Sequence, residues 1–142
     1  MRSMVIASAF LLAGCQTFFL PAYSEDVHSQ LAAASEGIQR IDVMLTDGQH
    51  PTAPDLEPTF IDVLTHLGQA RAAAEARAST AGTPFSRRSG SIITANLKRC
   101  EEVVRGALAF SRANQLDAGA FERMLVPQTC DFPKTEEELL QK

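Results

Sequence analysis

The sequence predicts an all-α fold, a small antiparallel bundle of three main helices plus a short fourth, stapled by one disulfide. Three observations carry this expectation. Apolar residues recur at alternating spacings of three and four along three long segments, the period of a helix that buries one face. No segment alternates with the period of a strand, and stretches bearing proline or glycine separate the helical ones. Cys100 and Cys130 lie where an antiparallel return of the chain brings them together.

The first long segment starts near Val27. Val27, Leu31, Ala34, Ile38, Ile41 and Leu45 trace its inner stripe, Ser24 or Asp26 can cap it, and Asp47-Gly48 stops it. Glu36 and Arg40 form an i,i+4 pair on the outer face. Residues 48–58 carry three prolines and read as a loop. A second helix follows from about Thr59, with Phe60, Leu64, Leu67, Ala70 or Arg71, Ala74 and Ala78 inward, and Gly82-Thr83-Pro84 ending it. Its alanine-rich half, Ala70 to Ala81, has high helix propensity and little bulk, which permits close approach of a neighbouring helix.

Residues 85–90 read as a second linker, and a third helix runs from about Ser91 to Ala113. Its stripe is Ile93, Leu97, Cys100, Val104, Ala107 and Phe110 or Ser111, with Glu101–Arg105 as an external pair. Gly106, in mid-helix, points to tight packing. A turn framed by Asn114 and Asp117 leads to a short helix over about Ala118 to Leu125, with Phe121 and Leu125 inward and Pro127 closing it. Thr135 to Glu138 has the form of a capping box, so a last turn should pack Leu139 and Leu140 back. From Cys100 to the end of the third helix is roughly 20 Å at 1.5 Å per residue, and the fourth helix returns about 15 Å. The segment before Cys130 covers the rest.

The N-terminus is of a different kind. A short n-region with Arg2 precedes the apolar run Met4 to Gly14, which is too short for the roughly 20 residues of a membrane span and fits a secretory h-region. Leu12-Ala13-Gly14-Cys15 then stands where such a region ends. These four residues resemble the lipobox of bacterial lipoproteins. The resemblance implies that Cys15 is acylated and becomes the first residue of the mature chain, and Gln16 after it implies sorting to the outer membrane. Several acyl chains anchor far more firmly than one, at about 0.8 kcal/mol per buried CH₂. Ordinary secretion is the alternative. Phe18-Phe19-Leu20 prolongs the apolar character, and Pro21 to Ser24 offers small residues for cleavage before Glu25. Residues 1–24 are thus an export segment and tether, and 25–142 a single helical domain. Either course removes Cys15 from thiol chemistry and sends Cys100 and Cys130 to an oxidising compartment, where a disulfide between them is expected.

Composition excludes more than it assigns. Of 142 residues, 45% are hydrophobic and 21% charged, as in globular domains. A net charge of −4 argues against nucleic-acid binding, and the absence of tryptophan argues against aromatic platforms for bases or sugars. Charge is segmental: residues 25–62 are strongly acidic, 71–112 basic and 113–142 acidic. The acidic first helix can lie against the basic third, or the basic face can meet an acidic partner or an anionic lipid surface. Arg87, Arg88, Ser89 and Ser91, read as lying just ahead of the third helix, form a candidate anion- or partner-binding site with its free N–H groups.

No hydrolase, nucleotide-binding or dinucleotide-binding motif is present. No metal set is expected either. Asp62 and His66, four residues apart, read as a local surface contact, and Met44 and Met124 read as core. The expectation is therefore a non-enzymatic envelope protein without cofactor. It would bind a protein partner in the cell envelope and be held at the periplasmic face of the outer membrane through Cys15. In broad build it is similar to the small helical pilotin lipoproteins of secretion systems, which escort an outer-membrane pore subunit. A soluble periplasmic inhibitor or immunity protein is the alternative, and a ligand or metal carrier a third.

Overall fold

A computed structural model of the protein describes residues 24–48, 50–124, 126 and 128–131. Four helices follow in order: α1 (Glu25–Thr46), α2 (Ala53–Thr80), α3 (Pro84–Arg112) and α4 (Ala118–Arg123). Val126 and residues 128–131 are helical again. The export segment with Cys15, the inward placement of Leu125, the stop at Pro127, and the terminal turn with Leu139 and Leu140 lie outside the described residues.

Helix α1 begins where Ser24 Oγ accepts from the Val27 N–H at 3.3 Å, and Glu25 and Asp26 in its first turn suit the positive end of the helix dipole. The Glu36–Arg40 pair forms at 3.3 Å. The chain leaves the helix through Gly48 in the left-handed region, φ 71°, which glycine adopts without penalty.

Helix α2 starts six residues earlier than the proline content suggests. Pro54 falls in the first turn, where its missing N–H has no intrahelical partner to lose. Pro58 removes one interior bond, and two local features offset the loss. The Asp55 carboxylate accepts from the Thr52 N–H at 2.7 Å and the Thr52 hydroxyl at 2.6 Å. Leu56 and Phe60 are fully buried on the same face. The Thr52 bonds, side chain first, hold the Asp55 carboxyl below its ordinary value.

Helix α3 also starts early. Pro84 opens it rather than ending α2, taking the first helical position that proline favours. The connection shrinks to residues 81–83. At its other end Asn114 adopts φ 55°, the Gln115 N–H donates to Phe110 O and the Asn114 N–H to Ser111 O, both at 2.9 Å. This is a Schellman termination with asparagine at the left-handed position. Asp117 then caps α4 by accepting from the Ala120 N–H at 2.6 Å.

The helices share one core. Val27, Leu31, Ile38 and Ile41 of α1 meet Leu56, Phe60, Val63 and Leu67 of α2 and Ile93, Leu97, Val104 and Ala107 of α3. Met44 and Met124 pack partly buried against it. At the end of the α3 stripe Ser111 is the buried residue, at 3% exposure, and Phe110 faces outward at 43%.

Two glycines mark the closest helix crossings. A Cβ on Gly37 would lie 2.4 Å from Val63 Cγ2, and one on Gly90 would lie 2.6 Å from Ala78 Cβ and 3.1 Å from its Cα. Gly106, expected at a tight crossing, has nothing within 4 Å of a Cβ position. The tight glycine of α3 is Gly90, inside the helix because α3 begins at Pro84.

Backbones approach closely between α1 and α2 and between α2 and α3, while α4 lies against α1. α1 and α3 meet through the side chains of the shared core, and α2 makes the closer backbone approach to each. The Cys100–Cys130 disulfide, with Cα atoms 5.0 Å apart, ties the segment after α4 to α3. Phe121 of α4 and Val126 after it are completely buried, so the chain from α4 to Cys130 braces both α1 and α3.

Candidate functional site

The charged residues of α3 fall into two groups. In its C-terminal half every cation is paired. Arg105 donates to Glu101 at 3.2 Å, and Arg112 bonds Glu57 of α2. Glu101 also accepts from Arg71 Nε of α2 at 2.7 Å, and Arg71 reaches Glu75 at 3.0 Å. Expected on the outside, Glu101 is 4% exposed. The bonds to Glu101, then Glu75, raise the Arg71 guanidinium above its usual value, so the guanidinium stays charged throughout the accessible pH range. It clamps α2 to α3 and has a structural role.

The N-terminal half of α3 differs. Residues 84–100 contain Arg87, Arg88, Lys98 and Arg99 and no acid. All four cations are exposed, and among the described residues none enters an ion pair. At 100° per residue they share the outer side of the helix, opposite Ile93, Leu97, Cys100 and Val104. Ile92, 47% exposed, lies four residues after Arg88 and seven before Arg99, in one stripe with both.

The candidate anion site at Arg87, Arg88, Ser89 and Ser91 changes character here. These residues are inside α3, and the Arg87 N–H is already committed to Thr83 O at 3.1 Å. The N–H groups of 89–91 lie beyond the first turn, where the helix bonds them internally. Arg87, Arg88 and Ser91 share the exposed side, while Ser89 turns toward the half-buried side. The structure therefore offers a charged helix face rather than a backbone cradle. Lys98 and Arg99 belong to that face and extend it to about 18 Å along the axis. Their segmental charge was visible in the sequence, but their common side required α3 to begin at Pro84.

The remaining polar candidates are local. His66 Nε2 lies 3.6 Å from Asp62 Oδ1, as the i,i+4 spacing suggests, and His66 Nδ1 lies 2.6 Å from Gln30 Oε1 of α1. The histidine thus links two helices. Among the described residues no group of three His, Cys, Asp or Glu side chains is placed to hold a metal. Among them, no helix is long and apolar enough to cross a membrane.

The class that fold and site define is a disulfide-braced helical bundle with a basic face that pairs with no acid among the described residues. No family model, curated protein or solved structure matches the chain.

Proposed function

We propose that the protein is a non-enzymatic exported envelope lipoprotein. Cys15 anchors it at the periplasmic side of the outer membrane, and it works as a protein-binding accessory to a secretion or envelope-assembly system in the manner of a pilotin. The observation that carries this reading is the Cys100–Cys130 disulfide. Such bonds persist in oxidising compartments, where the N-terminal segment would deliver the chain. The Leu12-Ala13-Gly14-Cys15 sequence supports the lipid anchor. The rest of the molecule suits a placed binding surface: a single core, a cross-braced C-terminal segment and a cationic face that no described internal partner neutralises.

Fractionation of cells producing the unaltered chain and a Cys15→Ala variant tests the anchor. The unaltered protein is expected with the membranes and the variant in the soluble periplasm. Identical fractionation, with a mature chain beginning at Glu25, would refute it. The accessory role is tested by affinity purification of the tagged full chain from solubilised membranes. One envelope protein should co-purify in near-stoichiometric amount, and its absence contradicts that role.

A further inference from the structure

We infer that the N-terminal half of α3 is a docking face for an anionic phospholipid surface. The inference rests on the anchored reading for the membrane's proximity and goes beyond it by assigning the contact face. Three observations converge.

The first is position. Gln30 of α1 stands beside His66, and Gly37 stands beside Thr59 and Val63, so α1 begins level with about residue 72 of α2. Arg71 is paired with Glu101, and Ala78 touches Gly90. The hairpin of α2 and α3 therefore extends past the start of α1 by about eight residues, or about 12 Å. Arg87 and Arg88 lie on this projecting part, and Lys98 and Arg99 are level with the α1 start. The cationic face is thus at the end of the bundle where residues 1–23 enter. Nine residues from Cys15 to Ser24 span at most about 30 Å, and the cationic face lies nearest their point of attachment, about 21 Å closer along the axis than Arg112.

The second is charge. Among the described residues the unpaired cations of α3 are confined to this half, whereas Arg105 and Arg112 are neutralised by Glu101 and Glu57. Glu25 and Asp26 belong to α1, not to this face of α3. The α3 face is therefore positive from Arg87 to Arg99, as a negative lipid surface requires, and the exposed Glu102, four residues after Lys98, marks its limit. The third is Ile92. An exposed aliphatic side chain between Arg88 and Arg99 lets the face add apolar contact at the headgroup boundary to its electrostatic attraction.

The test uses the full chain carrying Cys15→Ala, so that no acyl group holds it to lipid and the outcome does not depend on lipidation. Flotation is measured with vesicles of phosphatidylcholine alone and with vesicles containing about one-third phosphatidylglycerol, at low and high salt. Preference for the anionic vesicles is expected, weakening at high salt as the attraction is screened. At roughly fivefold per cation, Arg87→Gln/Arg88→Gln should bind them about 30-fold more weakly. Adding Lys98→Gln and Arg99→Gln should abolish the preference. Arg123→Gln, on α4 rather than on this face, should retain it. Glutamine is a good helix former at these exposed positions, and circular dichroism verifies folding. If the fourfold variant loses helix, the twofold variant decides. Equal flotation on both vesicle types overturns the proposal and leaves an acidic protein as the occupant of this face. Retained preference in the variants also overturns it.

Discussion

Reducing the Cys100–Cys130 bond is expected to lower the melting temperature by roughly 15 °C. The two cysteines are 30 residues apart, and the loop they close contains the second half of α3, the Asn114 turn and α4. Opening a loop of that size restores entropy to the unfolded chain worth about 3.5 kcal/mol at 25 °C. Unfolding entropy of about 2.1 cal/mol/K per residue over the helical domain converts this to the stated shift. Reduction is preferable to substitution because Cys100 is fully buried and truncation would add a packing loss. The assay is thermal unfolding followed by circular dichroism, with and without a phosphine reductant, on a Cys15→Ala chain. Thiol titration should find no free sulfhydryl before reduction and two after it. A shift below about 3 °C would show that the segment after α4 contributes little cross-bracing. Two titratable thiols in the untreated protein would refute the bond itself.

Further expectations concern the helix crossings and the buried charge. Gly90→Ala should destabilise by about 1–3 kcal/mol, because its Cβ meets the Ala78 backbone and cannot be relieved by a rotamer change. Gly106→Ala should raise the melting temperature by about 4 °C, since open space leaves only the gain in helix propensity of up to about 1 kcal/mol. Glu101→Ala should cost about 1–2 kcal/mol by removing the α2–α3 link while Arg71 keeps Glu75, and a double-mutant cycle with Arg71→Ala in urea unfolding should show their coupling. Asp55 has a depressed carboxyl, so its stabilisation is complete above its ordinary value of 3.8 and is lost as pH falls through its lower folded value. The melting-temperature gap between the unaltered chain and Asp55→Ala should therefore close in acid.

The parts of the fold legible in the sequence were those that follow from periodicity and end chemistry. The stripes of α1 and α3, the caps at Ser24 and Asp117 and the cysteine pairing all follow from spacing that a helix imposes. The helix starts are not legible from proline content, because proline is a breaker in a helix interior and an opener in the first turn. Pro54 and Pro84 sit in first turns, and burial of Leu56 and Phe60 outweighs the bond lost at Pro58. Glu101 was placed outside because a charged residue beside the core stripe reads as solvent-facing. Its burial depends on Arg71, thirty residues away, and no local pattern carries that. The cationic site was half legible. Arg87 and Arg88 stood out as a pair, but their union with Lys98 and Arg99 on one side required the helix to run through the stretch read as a linker. Gly106 and Gly90 differ only in what faces them, which composition does not encode.

The central claim is that this bundle is placed at a membrane by its N-terminal cysteine and acts through its surface. The intact mass of the mature protein recovered from cell membranes tests it most directly. A chain beginning at Cys15 and carrying acyl groups is the expected result, whereas an unmodified chain beginning at Glu25 would contradict it.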